Sequence, residues 1–352
     1  MKKTLLTLLQ VAFTAGLLAW LFRDPNQNHE MMDALSHANL LWIAAAFGVF
    51  GLVEVAAITR WKILLRVQGI HIGWFRLAAL FMIGILFNPF MPGGTGGDVA
   101  KIFYLLKETP HKKPAAMLAV LMDRLVGLFG LILIAGTVIA FRYQWLTQTP
   151  VTATLLYTLL AIFAGSIGFI VISFAVTGLG LVHKLPQRMP MRDKLVDLSV
   201  AYNQYGRAWG SSLLALALCI PVHLGSFTLF YCVGQAFTES AKRTALLDFW
   251  GIMPIVNTIT SMPISIGGAG IREKLMTDLL GGLCHVPAST AIMVSLIGGT
   301  FVIMLWSLVG GVIYLCYRPS EHAHLAEMSQ DVTQLEHQIA QTEESEEVKV
   351  KL

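Results

Sequence analysis

The sequence predicts an all-α, polytopic integral membrane bundle with two re-entrant or broken-helix elements, an arrangement compatible with an inverted repeat. Three observations carry that prediction. Of 352 residues, 55% are hydrophobic and only 13% charged, whereas an average soluble domain is ~25% charged. Mean hydropathy is +0.66. The apolar residues gather into stretches near the ~20 residues that cross a hydrocarbon layer as a helix. A disordered chain, which needs high charge and low hydrophobicity, is excluded. The same composition argues against an ordinary cytosolic enzyme, which must cover its surface with charge.

The elements follow in order. Continuous apolar spans lie at 4–22, 40–59, 114–141, 151–178, 211–236 and 287–317, and two further stretches, 76–92 and 245–266, are interrupted by Pro and Gly. The first span follows Lys2 and Lys3 and runs to Trp20-Leu21-Phe22 before Arg23 with no small-x-small cleavage site, so it reads as a retained helix. The membrane region is 1–320, in halves of about 1–150 and 151–320, and an acidic cytoplasmic helical tail occupies 321–352. Residues 318–352 carry three Lys and Arg against eight Asp and Glu, a net of −5; the rest carry 22 against 13, a net of +9. In the tail, Leu325, Met328, Val332, Leu335 and Ile339 keep helical spacing but fall short of the ~3–4 heptads of a coiled coil. That segment is either a frayed amphipathic helix or a contact for homo-oligomers.

Loop charge sets the orientation. Residues 60–76 hold Arg60, Lys62, Arg66 and Arg76 with no acid. Residues 101–113 hold Lys101, Lys107, Lys112 and Lys113 against Glu108, and 179–210 hold five bases against Asp193 and Asp197. All three are expected inside. Residues 23–39, with Arg23 against Asp24, Glu30 and Asp33, are expected outside. Because 60–76 and 101–113 share a face, the apolar stretch between them must enter and leave on that face. It would turn at Asn88-Pro89-Phe90-Met91-Pro92-Gly93-Gly94-Thr95-Gly96-Gly97. The second half repeats the pattern at Met262-Pro263 and Gly267-Gly268-Ala269-Gly270, entering from the other face. Paired Gly/Pro breaks in the two halves of a membrane chain point to a transporter binding site. Both termini are then cytoplasmic, in the cell membrane of a bacterium (its inner membrane).

Ionisable residues at membrane depth are functional candidates. They are Asp98 at the end of the first Gly run, Asp123-Arg124 inside the span that starts at 114, and Arg272-Glu273 after the second Gly run. Neighbours on a helix do not face each other, so Asp123 and Arg124 need separate partners. Pairing Asp98 with Arg124 or Arg272 would leave one guanidinium free for a lipid phosphate. Backbone N–H groups of Gly93, Gly94, Gly96, Gly97, Gly267, Gly268 and Gly270 would add donors. The plainer reading is that these charges neutralise one another and lock the broken elements. Asn88 and Asn257 are expected either to bond freed backbone or to touch substrate. Glu54 is a proton-coupling carboxylate or reaches the interface, and His223 reads as a satisfied core residue.

Catalysis finds little support. No GxSxG elbow, HExxH, Walker A motif or Rossmann fingerprint is present. Cys219, Cys232, Cys284 and Cys316 form no CxxC pair, so no zinc site, other metal or cofactor is expected. Nucleic acid is not an expected partner, because the bases lie between apolar spans. A membrane lipid with an anionic or phosphate-bearing headgroup is.

Four motifs together resemble the lysylphosphatidylglycerol synthase transmembrane-region family of flippase-like membrane proteins. They are Arg60-Trp61-Lys62-Ile63-Leu64-Leu65; Asn88 with Pro92-Gly93-Gly94 and Gly96-Gly97-Asp98; Asp123-Arg124-Leu125-Val126-Gly127; and Pro263 with Gly267-Gly268-Ala269-Gly270-Ile271-Arg272-Glu273. Ala269 and Ile271 are mild departures, and the resemblance covers about 1–320. It implies a protein that moves a phospholipid or polyprenyl-phosphate-linked lipid between leaflets, with Arg124 and Arg272 on the phosphate and Asp98, Asp123 and Glu273 orienting or releasing them. The synthase activity of relatives that carry a soluble transferase domain is not expected. The alternative is a non-transporting subunit that anchors or regulates a lipid-modifying or glycosyltransferase enzyme.

Overall fold

A computed structural model describes residues 22–88, 96–178, 202–261 and 265–317, together with Thr14, Gly16, Ala19 and Ser199. Met91–Thr95, with Gly93 and Gly94, Pro263, most of the span at 4–22 and the tail 321–352 lie outside the described residues. The described residues are 89% helical, with no strand among them. The chain is an all-α polytopic membrane protein.

The helices are α1 (Pro25–Ser36), α2 (Leu40–Val67), α3 (Trp74–Phe87), α4 (Gly96–Glu108), α5 (Lys113–Leu146), α6 (Pro150–Gly178) and α7 (Trp209–Ala217). After them come α8 (Cys219–Gln235), α9 (Thr238–Arg243), α10 (Leu246–Thr260), α11 (Ile271–Cys284), α12 (Ala288–Leu296) and α13 (Val302–Cys316). A π-helical turn, Ile297–Phe301, joins the last two. Five segments are long and apolar enough to cross a membrane: Leu40–Val67, Pro110–Leu146, Pro150–Phe169, Trp209–Gln235 and Ala288–Cys316. Their outer faces stay apolar. Phe75 and Phe141 are 86% exposed and Leu315 82%, as lipid-facing side chains are.

Local chemistry explains the starts. Asp24 accepts from the Asn26 amide at 2.9 Å and Asn39 from that of Leu41 at 3.0 Å, so each caps the helix that follows it. Pro25 and Pro150 sit at first-turn positions, where no amide donor is needed.

The two interrupted stretches form helical hairpins. Helix α3 has 14 residues and α4 13; at ~1.5 Å per residue each is about 20 Å long, short of the ~30 Å hydrocarbon core. Arg76 in the first turn of α3 donates to Glu108 at the end of α4 at 2.6 Å, so the two ends lie together. The Tyr317 hydroxyl, just past α13, also donates to Glu108. In the second hairpin, Arg243 before α10 donates to the His285 carbonyl, just past α11, at 2.8 Å. The helical segment 288–316 begins beside that second mouth and ends beside the first. The hairpins therefore enter from opposite ends of the bundle.

Their tips approach the middle of the same segment. Ser307 donates to the Ile85 carbonyl at 3.3 Å, and Arg272 donates to Ser295 and Thr300. The sequence halves interlock: α8 packs along α2, and α13 along α3. One core lies around α8, α10, α11 and α12, and a second around α2, α3, α4 and the start of α5.

Candidate functional site

A cavity of about 480 Å³ opens between α2, α3, α4, α5 and α8. Three acids, Glu54, Asp98 and Asp123, and three bases, Arg60, Lys101 and Arg124, line it, with Asn88 and His223. Among apolar helices, such a concentration of charge calls for specific partners.

Asp123 and Arg124 turn to different partners, as adjacent helical positions require. Arg60 Nε donates to Asp123 Oδ1 at 2.7 Å, with both residues buried. Arg60 Nη1 also reaches the Cys219 sulfur at 3.4 Å. Arg124 Nε donates to Asp98 Oδ2, its guanidinium half exposed. Asp98 stands in the first turn of α4, where the helix dipole favours a negative charge. His223 Nε2 donates to the Gly127 carbonyl at 2.8 Å, tying α8 to α5. Gly130 lets that approach happen, because a Cβ there would lie 2.8 Å from the Cys219 sulfur.

The first Gly break builds its own tip. Asn88 Oδ1 accepts from the Gly97 amide at 3.0 Å and so caps α4. A Cβ on Gly97 would collide with the Asn88 side chain and the Gly84 carbonyl, so α3 and α4 cross where only glycine fits. Gly96 and Gly97 are buried in the first turn of α4.

The described residues of the second Gly break do not line this cavity. Gly267, Gly268 and Gly270 have φ of 59°, 75° and 82°, which glycine adopts without strain. Glu273 Oε2 accepts from the Gly270 amide at 2.6 Å. Arg272 donates to Ser295 (3.2 Å), Thr300 (2.7 Å), Glu273 Oε1 (3.3 Å) and the Gly267 carbonyl (3.4 Å). Ser295 in turn donates to Glu273 at 2.8 Å. Arg272 is 6% exposed and Glu273 fully buried. Gly299 gives the guanidinium its room, since a Cβ there would collide with it, and this is where the π turn falls.

Two expectations change accordingly. Among the described residues this cavity takes its lining from the first break and none from the second, and Arg272 spends its guanidinium on Ser295, Thr300, Glu273 and Gly267. The backbone donors expected for a ligand are also partly taken: Asn88 holds the Gly97 amide and Glu273 that of Gly270. The structure brings Asn88, Asp98, Asp123 and Arg124 to one cavity whose lining does not include Gly267–Glu273. Asn257 lies on α10 and does not line the cavity.

Loop counting hid two site residues. Arg60 and Lys101 count among inside loop charges, yet α2 continues to Val67 and α4 begins at Gly96, so both are buried within helices. The signal was present: Val53, Ala57, Arg60 or Trp61, and Leu64 repeat at three or four, which puts Arg60 on the inner face. Lys62 and Arg66 fall off that face. No cluster of His, Cys, Asp or Glu that could hold a metal occurs among the described residues.

An apolar groove of about 660 Å³ adjoins the site along α5 and α7, lined by Met122, Val126, Phe129, Tyr205 and Trp209 among others. A second hollow continues it past Leu213 and Leu216 to Gly130 and Cys219, the residue that Arg60 also touches.

The sequence profile of the lysylphosphatidylglycerol synthase TM region matches residues 7–310, which include both hairpins and all six cavity charges. The chain belongs to that family. A curated relative of this family member is the UPF0104 membrane protein MJ1595 of Methanocaldococcus jannaschii, 24% identical over 166 residues, 46% of this chain and 48% of the relative. The matched stretch thus spans about half the length of that relative. No solved structure matches the chain.

Proposed function

We propose that this family member moves a lipid with a phosphate-bearing headgroup, a phospholipid or a polyprenyl-phosphate-linked lipid, between membrane leaflets. The observation that carries the reading is the charged cavity of about 480 Å³ inside an otherwise apolar helical bundle. A hydrated headgroup needs such a place to cross hydrocarbon, and Arg124, half exposed and facing the cavity, is the guanidinium best placed for a phosphate. The tails remain in hydrocarbon, with the groove along α5 and α7 as their track. The hairpins would alternate access from the two ends, and Arg272–Glu273 would hold the second tip rather than the ligand. Both chain ends lie on the cytoplasmic side in this reading, and no bond is made or broken.

The test is a leaflet-resolved assay in proteoliposomes of the purified chain. Wild-type protein is expected to move phosphate-bearing lipids between leaflets, and Arg124→Ala to lose most of that flux. Full flux in Arg124→Ala rejects the phosphate role. No flux for any lipid, with a stable enzyme partner retained in mild detergent, supports the anchoring-subunit reading instead. Headgroup turnover by the purified chain would show that it is an enzyme.

A further inference from the structure

The six charges of the cavity do not pair off completely. Asp123 takes Arg60 and Asp98 takes Arg124. Glu54 and Lys101 remain. Each is 9% exposed, and both line the cavity from different helices. Among the described residues neither has a hydrogen bond, and no carboxylate lies within 4.0 Å of Lys101 nor any cation of Glu54. The Lys101 ammonium rests 3.5 Å from the centroid of the Phe81 ring and 5.7 Å from that of Trp61. Aromatic faces attract its charge but accept little from its three N–H groups. A buried acid and a buried base on the walls of one cavity, with no hydrogen bond between them, form an unfilled pair of opposite sign.

A ligand of one sign satisfies only half of it. A bare phosphate would meet Lys101 and confront Glu54, and a bare ammonium would do the reverse. A headgroup with both charges satisfies both walls and leaves the cavity neutral. Resting on the lipid reading above, we infer that the cavity selects a zwitterionic phospholipid headgroup, with its phosphate shared by Lys101 and the Arg124 assigned above and its primary ammonium against Glu54. The volume suits a small headgroup, since small-ligand pockets span roughly 300–1,000 Å³.

The experiment measures binding to the full chain in detergent by native mass spectrometry, separately from transport. Three lipids with identical short acyl chains serve as probes: phosphatidylethanolamine, its N-acetylated form, and phosphatidylglycerol. The ethanolamine lipid is expected to bind about tenfold more tightly than the other two, the scale of one charge-assisted contact. Glu54→Gln, close to isosteric, should erase that preference by weakening the ethanolamine lipid alone. Lys101→Met should weaken all three. Equal binding of the three lipids to wild-type protein overturns the inference, as does a preference that survives Glu54→Gln. If Glu54→Gln does not fold, the wild-type ranking of the acetylated against the free amine decides. Selective binding without leaflet exchange would sink the transport reading and leave this one standing; exchange without headgroup preference would do the opposite.

Discussion

Asp98 and Glu273 each stand in the first turn of a helix that follows a Gly-rich break, and each belongs to a hairpin too short to cross the membrane. Their surroundings then diverge. Glu273 is fully buried and its carboxylate is filled by Gly270, Ser295 and Arg272. Asp98 faces a cavity, and its partner Arg124 is 53% exposed. One hairpin has closed its polar groups on themselves and the other keeps them where a ligand can reach. A broken membrane helix must satisfy its freed backbone in either case. The difference lies in whether a neighbouring helix supplies the remaining partners. Ser295 and Thr300, beside the π turn, do so for the second hairpin, while α2, α5 and α8 leave a hollow beside the first.

The comparison can be broken by substitution, starting with the largest effect. Glu273→Ala strands a buried guanidinium and is expected to cost about 3–5 kcal/mol. The double change Arg272→Met with Glu273→Leu should recover most of that loss, because apolar side chains of similar size replace the pair. Thermal midpoints in detergent would read both. If Glu273→Ala is as stable as the wild type, the second tip is not locked as described.

Asp123→Asn should be milder, about 2 kcal/mol, since it removes one charged hydrogen-bond partner beside a cavity that water can enter. Chemical unfolding of this variant against Glu273→Ala tests whether the cavity side tolerates stranded charge better. Next is Gly97→Ala, which pushes a methyl into Asn88 and the Gly84 carbonyl. Roughly 1–3 kcal/mol is expected, the usual cost of overpacking. Hydrogen exchange should then rise in α3 and α4 and stay unchanged in α11.

The smallest stability effect falls on Arg124→Ala, about 0–1 kcal/mol for a half-exposed pair. The same change should abolish most leaflet exchange. A large loss of stability there, with exchange intact, would reverse the roles assigned to the two hairpins.

Much of this arrangement was legible before any coordinates. The apolar stretches at 40–59, 114–141, 151–178, 211–236 and 287–317 fall in helices long and apolar enough to cross a membrane, because a run of ~20 apolar residues has few other stable fates. The first hairpin followed from like-charged loops flanking its Gly/Pro break, and the second from a Gly/Pro break that repeats the pattern. The separate partners of Asp123 and Arg124 followed from helical geometry alone. Arg60 and Lys101 were misplaced by loop counting, since a basic residue near a helix end looks the same whether it points outward or inward. The partners of Arg272 were hidden for a different reason. Ser295 and Thr300, which satisfy it, are more than twenty residues away, and no local pattern marks them as its partners.

The division between sequence and tertiary structure follows from that distance. Hydrophobic run length and Gly/Pro punctuation are local, so the sequence alone determined a helical membrane protein, its spans, its two breaks and the charges nearest them. Whether a buried charge is silenced or left for a ligand depends on what side chains from remote helices place within about 3 Å of it. That was decided only when α2 brought Arg60 to Asp123, when the π turn brought Thr300 to Arg272, and when no described helix brought a salt-bridge partner to Glu54 or Lys101.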